Sequence, residues 1–205
     1  MNDIVKHEDL SNVAERIILE EKITKALPGL RKDQRTVIFI DFNNFEWTLK
    51  DLKVSINFRD LRQVFAERCN LVDCRAYWAF DYDNAYDQEK NDRLQRAGFR
   101  VTHKNLVTNH LGARKGNMDA ELVMDVSDVP DNIEHIILFS GDQDFLPLIH
   151  KMRQKFKQVS ICSTRHLQPP VIRHEVVRAA TNFYDIVDLL PKIEYVPQRR
   201  QLTDE

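Results

Sequence analysis

Apolar residues along the chain fall into two alternating patterns, short runs of strand character and longer stretches at helical spacing. Val37-Ile38-Phe39-Ile40 is continuously apolar, as in a strand covered on both faces, and so is Ile136-Ile137-Leu138-Phe139. Cys74 to Phe80, Phe99 to Val107 (with basic residues in it) and Val159 to Cys162 read as three further strands. Between them the spacing turns helical. Phe58, Leu61, Val64 and Phe65 share a face within Asn57 to Arg68, and a second helix runs from Ala85 to Ala97 with Gly98 as its stop. Others are expected from Asn117 to Val126, after Phe139 with Phe145, Leu148, Ile149, Met152 and Phe156 on its stripe, and from Ile172 to Ala180. Phe183 to Leu189 packs down afterwards. Strands alternating with helices predict an α/β fold with a mainly parallel sheet of about five strands and crossover helices.

Outside this alternation, Leu10 to Leu27 reads as an amphipathic helix carrying Leu10, Val13, Ala14, Ile17, Ile18 and Leu27 on one broad face, ended by Pro28-Gly29. The expected organisation is a helical extension over 1–30, a main domain over 36–190 and a polar tail over 191–205. The apolar face of the extension packs on its own domain, with a homodimer contact through that helix as the alternative.

Composition narrows the class. The chain of 205 residues is 42% hydrophobic, enough for one domain with a real core. Its formal charge of −2 gives no global attraction to nucleic acid, so any such surface must be local. Cys69, Cys74 and Cys162 are odd in number and form no CxxC pair, which indicates neither a disulfide framework nor a zinc site. Met1-Asn2-Asp3 opens no secretory signal, and no apolar run has the length of a membrane span. A soluble, cytoplasmic protein with no membrane partner is expected.

The chemistry gathers at strand ends. Asp41 follows the first strand at once, and Ser140-Gly141-Asp142-Gln143-Asp144 follows the fourth. Parallel connection puts both turns on one edge of the sheet, where open α/β sheets bind ligands, if the two strands are neighbours. A structural reading stands beside this one, with Asp144 as an N-cap and Asp142 as a turn residue. Asp119 shares a helix face with Leu122, Val123 and Val126 and so points inward, whereas Glu121 and Asp125 fall on solvated faces. Four clustered aspartates repel unless cations neutralise them, and oxygen donors without Cys or His favour Mg2+ or Mn2+. Metal-assisted attack on a phosphodiester is the chemistry such a site suits.

Three segments, Ile40-Asp41-Phe42-Asn43-Asn44, Lys115-Gly116-Asn117-Met118-Asp119 and Ser140-Gly141-Asp142-Gln143-Asp144-Phe145, resemble the motifs of the NYN domain family in its LabA-like branch, relatives of PIN-domain nucleases. The likeness runs from about Thr36 to Leu190 and includes Val177-Arg178-Ala179-Ala180 and Phe183. It implies a PIN-like three-layer α/β/α sandwich and a Mg2+- or Mn2+-dependent nuclease acting on RNA, single-stranded or structured. By the same resemblance Asp41, Asp119, Asp142 and Asp144 form the metal-binding acidic cluster, and Asn43 is its polar neighbour. Ser140 orients a carboxylate, and Lys115 faces substrate phosphate. Phe42 and Gln143 stand where the family usually has glycine, and Thr181-Asn182 where an aspartate often follows the paired alanines. Arg114, Lys104, His110 and Arg165 are basic groups placed where a phosphate chain could lie, and Tyr82, Tyr86 and Phe42 are aromatics near strand ends.

A regulatory RNA-binding module without catalysis is the alternative function. A phosphatase of the HAD type ranks lower, because its general acid belongs two residues after the first aspartate, where this chain has Asn43.

Overall fold

The computed structural model describes residues 7–108 and 114–196. Strands that are apolar at the middle of the sheet and more polar toward its edges build its centre. In chain order the elements are α1 (His7–Ala26), β1 (Arg35–Asp41), α2 (Phe42–Leu52), α3 (Phe58–Ala66), β2 (Asn70–Phe80), α4 (Ala85–Arg96) and β3 (Arg100–Asn105). There follow a short antiparallel pair, β4 (Val107–Thr108) and β5 (Arg114–Lys115), then α5 (Asp119–Ser127), β6 (His135–Phe139) and α6 (Leu146–Gln154). The chain continues through β7 (Gln158–Ser163), α7 (His174–Ala179), β8 (Asn182–Asp185) and α8 (Ile186–Ile193).

Among the described residues the central sheet has six strands in the order β3-β2-β1-β6-β7-β8, every pair parallel. The sixth, β8, was not expected from its composition. Asn182 and Asp185 break the apolar run, but an edge strand needs a partner on one side only, and β7 supplies it.

Alternation along the central strands divides the core. Ile38, Ile40, Ile137 and Phe139 face one side, with α1, α2, α3, α4 and α8. Val37, Phe39, Ile136 and Leu138 face the other, with α5, α6 and α7. The result is a three-layer α/β/α sandwich, and the crossovers change face where β1 meets β6, the switch point of a doubly wound sheet. The first layer is aromatic. Phe139 lies edge-on to Phe45 and Phe65, and Phe42 packs between Phe58 and Trp78. Full burial of each ring is worth roughly 1.5–3 kcal/mol.

Helix α2 was not among the helices expected from the sequence. Its core contacts are Phe42, Phe45, Thr48 and Leu49, and it starts directly on the Asp41 cap. The stripe after β6 also ends earlier than its apolar residues suggest. Lys157 N–H donates to Met152 O and Phe156 N–H to Arg153 O, a Schellman stop with Phe156 at φ 61° and 95% exposed. Phe156 therefore leaves the core.

The extension docks by its last turns. Ile23 and Leu27 are fully or nearly fully buried, with Leu19, Ala26 and Leu30 against the same core, whereas Val13, Ile17 and Ile18 stay exposed. The docking face is thus rotated from the one expected, because only the helix's C-terminal half reaches α8. Glu20 clamps it there through Arg68 (2.5 Å) and Lys192. Beneath the linker a buried hydrogen-bond chain ties three strands to it. His135 Nε2 meets Ser160 Oγ at 2.8 Å, Ser160 donates to the Tyr184 hydroxyl at 3.2 Å, and Tyr184 donates to Pro28 O at 3.1 Å. All three cysteines are buried and free, and no described helix is long and apolar enough to cross a membrane.

Two predictions follow from these local features. Phe156→Gly should stabilise the protein by about 0.5–1 kcal/mol in urea unfolding. Relief of a left-handed backbone at a non-glycine residue outweighs the added freedom of the unfolded chain, and no packing is lost. A destabilised variant would show that the ring has an unseen contact. The second concerns acid. Burial, with the charge of Arg31 adding, pushes His135 down to about 4. A depressed histidine contributes stability present above about pH 6.5 and lost as pH falls toward 4, at most about 3 kcal/mol here. Urea unfolding of His135→Gln from pH 8 to 4 should show a smaller acid loss than the wild type, and parallel curves would refute the assignment.

Candidate active site

Two turns leave adjacent parallel strands at the switch point. Ile40 of β1 pairs with Phe139 of β6, so Asp41 and Ser140 emerge side by side on the C-terminal edge of the sheet. The neighbourhood expected from topology is observed. Asp41 ends β1 and caps α2, its Oδ1 accepting from Asn44 N–H at 3.3 Å. Its Oδ2 accepts from Ser140 Oγ at 3.2 Å, and the same Ser140 Oγ accepts from Asp142 N–H at 3.1 Å. One buried hydroxyl therefore links the first carboxylate to the backbone of the third.

A second cross-link runs the other way. Asn44 Oδ1 accepts from Gly141 N–H at 3.0 Å. Asn44 was quoted in the sequence only as part of a motif, and its role depends on a contact 97 residues away that no local pattern signals. Gly141 is required by close approach. A Cβ there would stand 2.3 Å from the Val171 carbonyl oxygen.

The cap was expected at Asp144 and belongs to Asp142. A 3₁₀ turn over Gln143–Phe145 precedes α6, and Asp142 Oδ1 accepts from Asp144 N–H at 2.9 Å. The 3₁₀ turn thus begins two residues before the apolar stripe, and Asp144 is left exposed. Asp119 opens α5 half-buried. Asn117 clasps it, donating from Nδ2 to Asp119 Oδ2 at 2.7 Å and accepting from its N–H at 2.6 Å. Met118, the residue between, is buried and holds this turn on the second core layer.

The acids feel one another. Burial pushes Asp41 up to about 6, with the charges of Asp119 and Asp142 adding, while hydrogen bonds from Asn44 and Ser140 oppose the shift. Asp119 is raised too, by burial first and then by Asp142, Asp144 and Glu121, with Asn117 opposing. Among the described residues no basic side chain forms an ion pair with any of these four aspartates. Nor do three of the His, Cys, Asp or Glu side chains among those residues close into a metal-ligating cluster. The four aspartates offer oxygen donors only, with no cationic partner among the described residues.

Other candidates fall in varied places. Both amide atoms of Asn43 are engaged by the Ala79 backbone, donating to its O and accepting from its N–H, each at 2.9 Å. Lys104 pairs with Glu121, while Asp125 accepts from Tyr77 and Arg75, so the two acids expected on solvated faces are both engaged. Arg165 lies over the Phe183 ring at 4.4 Å. Arg114 and Lys115 form β5, which brings their backbone beside β4, and His110 lies outside the described residues. Phe42 is 1% exposed and belongs to the core. Thr181 bonds Val159 at the start of β8, the edge away from the acids, so the missing family aspartate there does not alter the crevice. Asp185, an acid on the same edge as Asp41, is taken up in capping α8 and in accepting from Arg165 N–H.

A doubly wound parallel sheet with acids collected at its switch point defines a PIN-like α/β sandwich. The chain belongs to the NYN domain family, whose pattern matches residues 35–190. It is 28% identical over 170 residues to the low amplitude and bright protein LabA of Synechococcus elongatus, covering 80% of this chain and 89% of that one. This homology at low identity spans most of the chain. A solved structure, a protein of unknown function from Vibrio parahaemolyticus, superposes with a TM-score of 0.65 at 22% identity, covering 75% of this chain and 93% of its own. That likeness is one of fold.

The electrostatic cost at Asp41 is measurable. A carboxyl raised in the folded state contributes stability present below about pH 4, which is lost as pH rises through 6. Asp41→Asn keeps one oxygen to accept from Asn44 N–H, turns the Ser140 contact into a donation from Nδ2, and removes the charge. In EDTA at pH 8 it should be more stable than the wild type by up to about 3 kcal/mol, with the gap closing near pH 4. Equal stabilities at pH 8 would show that the carboxylate is not strained by its neighbours.

Proposed function

We propose that the chain is a Mg2+- or Mn2+-dependent ribonuclease that hydrolyses phosphodiester bonds at the switch-point crevice. The observation that carries this reading is the Ser140 bridge, which holds the Asp41 carboxylate beside the Asp142 turn on neighbouring strands, with Asp119 near enough to raise Asp41. Membership of a nuclease-associated family supports it.

Asp41, Asp119, Asp142 and Asp144 would hold the ion. Mg2+ keeps several of its waters and takes only one or two carboxylates directly, so an open arrangement of acids suits it better than a closed cage. When bound, the ion supplies Lewis acidity toward a phosphodiester oxygen and the attacking water. The residues of the chain do the positioning. Ser140 fixes the rotamer of Asp41, Asn117 that of Asp119, and the Asp144 N–H that of Asp142. Asn44 locks the two turns together, and Asn43 locks the start of α2 to the end of β2. Lys115 is assigned to substrate phosphate through its place four residues before Asp119. Arg114, Lys104, His110 and Arg165 are assigned to the flanking strand.

A second reading, an RNA-binding module without catalysis, would use the same crevice. One assay separates the two. Labelled single-stranded RNA is incubated with the protein in Mn2+, Mg2+ or EDTA, beside Asp41→Asn and Asp142→Asn. Cleavage should require metal and fall at least about a hundredfold in both variants, the scale of losing one electrostatic contact to a transition state. Ser140→Ala should lose about 10–100-fold, as for a group that orients a metal ligand. Cleavage surviving both aspartate substitutions would overturn the site, and binding without cleavage in either metal would establish the second reading.

A further inference from the structure

A groove of about 730 Å3 opens beside the acids, walled by α2 on one side and by Gly116-Asn117 on the other, with Trp78 and Ala79 of β2 at its base. It shares its walls with the crevice. Asn43 lies two residues from Asp41, and Asn117 hydrogen-bonds Asp119. Gly116 keeps one wall free of side chain, since a Cβ there would stand 2.5 Å from the Ala79 Cβ. On the opposite wall Trp47 is 65% exposed, turned away from the core face that α2 makes with Phe45 and Leu49. A tryptophan left open to water contributes little packing, and this one lines a concave site of ligand-binding size.

The charges sort what fits. Glu46 and Asp87 line the groove, and carboxylates repel a phosphate but accept from the N–H groups of a base edge. Lys50 also lines the groove, its Nζ over the Trp47 ring at 5.1 Å from the centroid, and pairs with Glu46. Glu46 also pairs with Lys90, which lies over the exposed Tyr86 ring at 4.4 Å. An aromatic side chain, acceptors beside it and the Lys50 ammonium in one groove describe a seat for a base with its backbone outside.

We propose that this groove is a nucleobase subsite, in which Trp47 stacks on a base of single-stranded RNA next to the phosphate held at the acids. The strand then continues past Lys50 toward the exposed Tyr86 ring. The proposal rests on the reading of the acidic crevice as the phosphodiester site and adds the group that grips the neighbouring nucleotide.

The test uses the full chain carrying Asp142→Asn in Mg2+, with an end-labelled nine-nucleotide adenosine oligomer followed by anisotropy. Adding Trp47→Ala should weaken binding about 5- to 100-fold, while Trp47→Phe stays within about threefold. An oligomer of the same length lacking its bases should bind both proteins alike. Trp47 and the buried Trp78 are the two tryptophans, so unlabelled oligomer should quench the exposed emission and leave that of Trp47→Phe unchanged. Because Trp47 is exposed, thermal midpoints of all forms should agree within about 2 °C. Equal affinity of the Trp47→Ala form, or binding without quenching, overturns the subsite, and Trp47 is then free to serve a protein partner. Cleavage by the wild-type chain is scored separately. Quenching without any cleavage keeps the subsite and overturns the nuclease, and cleavage without quenching does the reverse.

Discussion

Everything at the crevice depends on the parallel pairing of β1 with β6. Hydrogen bonds between these strands set Ile40 against Phe139, and that register decides which residues of the two following turns can touch. Ser140 Oγ then reaches Asp41 and Asp142, and the Asn44 carboxamide reaches Gly141. A slip of one residue would turn Phe139 out of the aromatic layer it shares with Phe45 and Phe65. The hydrophobic cost of that slip is several kcal/mol, far above the roughly 1 kcal/mol of a single hydrogen bond. The core therefore holds the register, and the register holds the acids.

The acids themselves work against the fold. Asp41 is buried among like charges and pushed up to about 6, and the two hydrogen bonds it accepts do not cancel that penalty. His135, at the opposite edge of the sheet, is buried neutral and pushed down to about 4. Acidification relieves the first group and strains the second over the same range of pH. Net acid stability is thus a difference of opposed terms, and single substitutions separate them where a wild-type titration does not.

The extension is held by a different kind of contact. Its last turns bury Ile23 and Leu27, and a chain of hydroxyls from Ser160 through Tyr184 ends on the Pro28 carbonyl. Gly29, at φ 80°, makes the turn and lies against Asn182 at the start of β8. The first turns of α1 leave Val13, Ile17 and Ile18 exposed.

Residue order alone was enough for the α/β class, for five of the six strands, and for Asp41 and the Asp142 turn at the ends of neighbouring strands. Those features are local: an apolar run of four residues, or an acid directly after it, carries its meaning without partners. The parts that were missed depend on distance. Strand β8 exists because β7 offers it an edge, and α2 because Phe42 finds Phe58 and Trp78 and Phe45 finds Phe139. The cap passed from Asp144 to Asp142 because packing of Phe145 starts the turn early. Glu121 and Asp125 found basic and hydroxyl partners on neighbouring strands. Residue types and their order determined which chemistry this chain can hold. Only the folded register decided which oxygen meets which hydrogen, since a bond spanning 97 or 99 residues leaves no trace in local spacing.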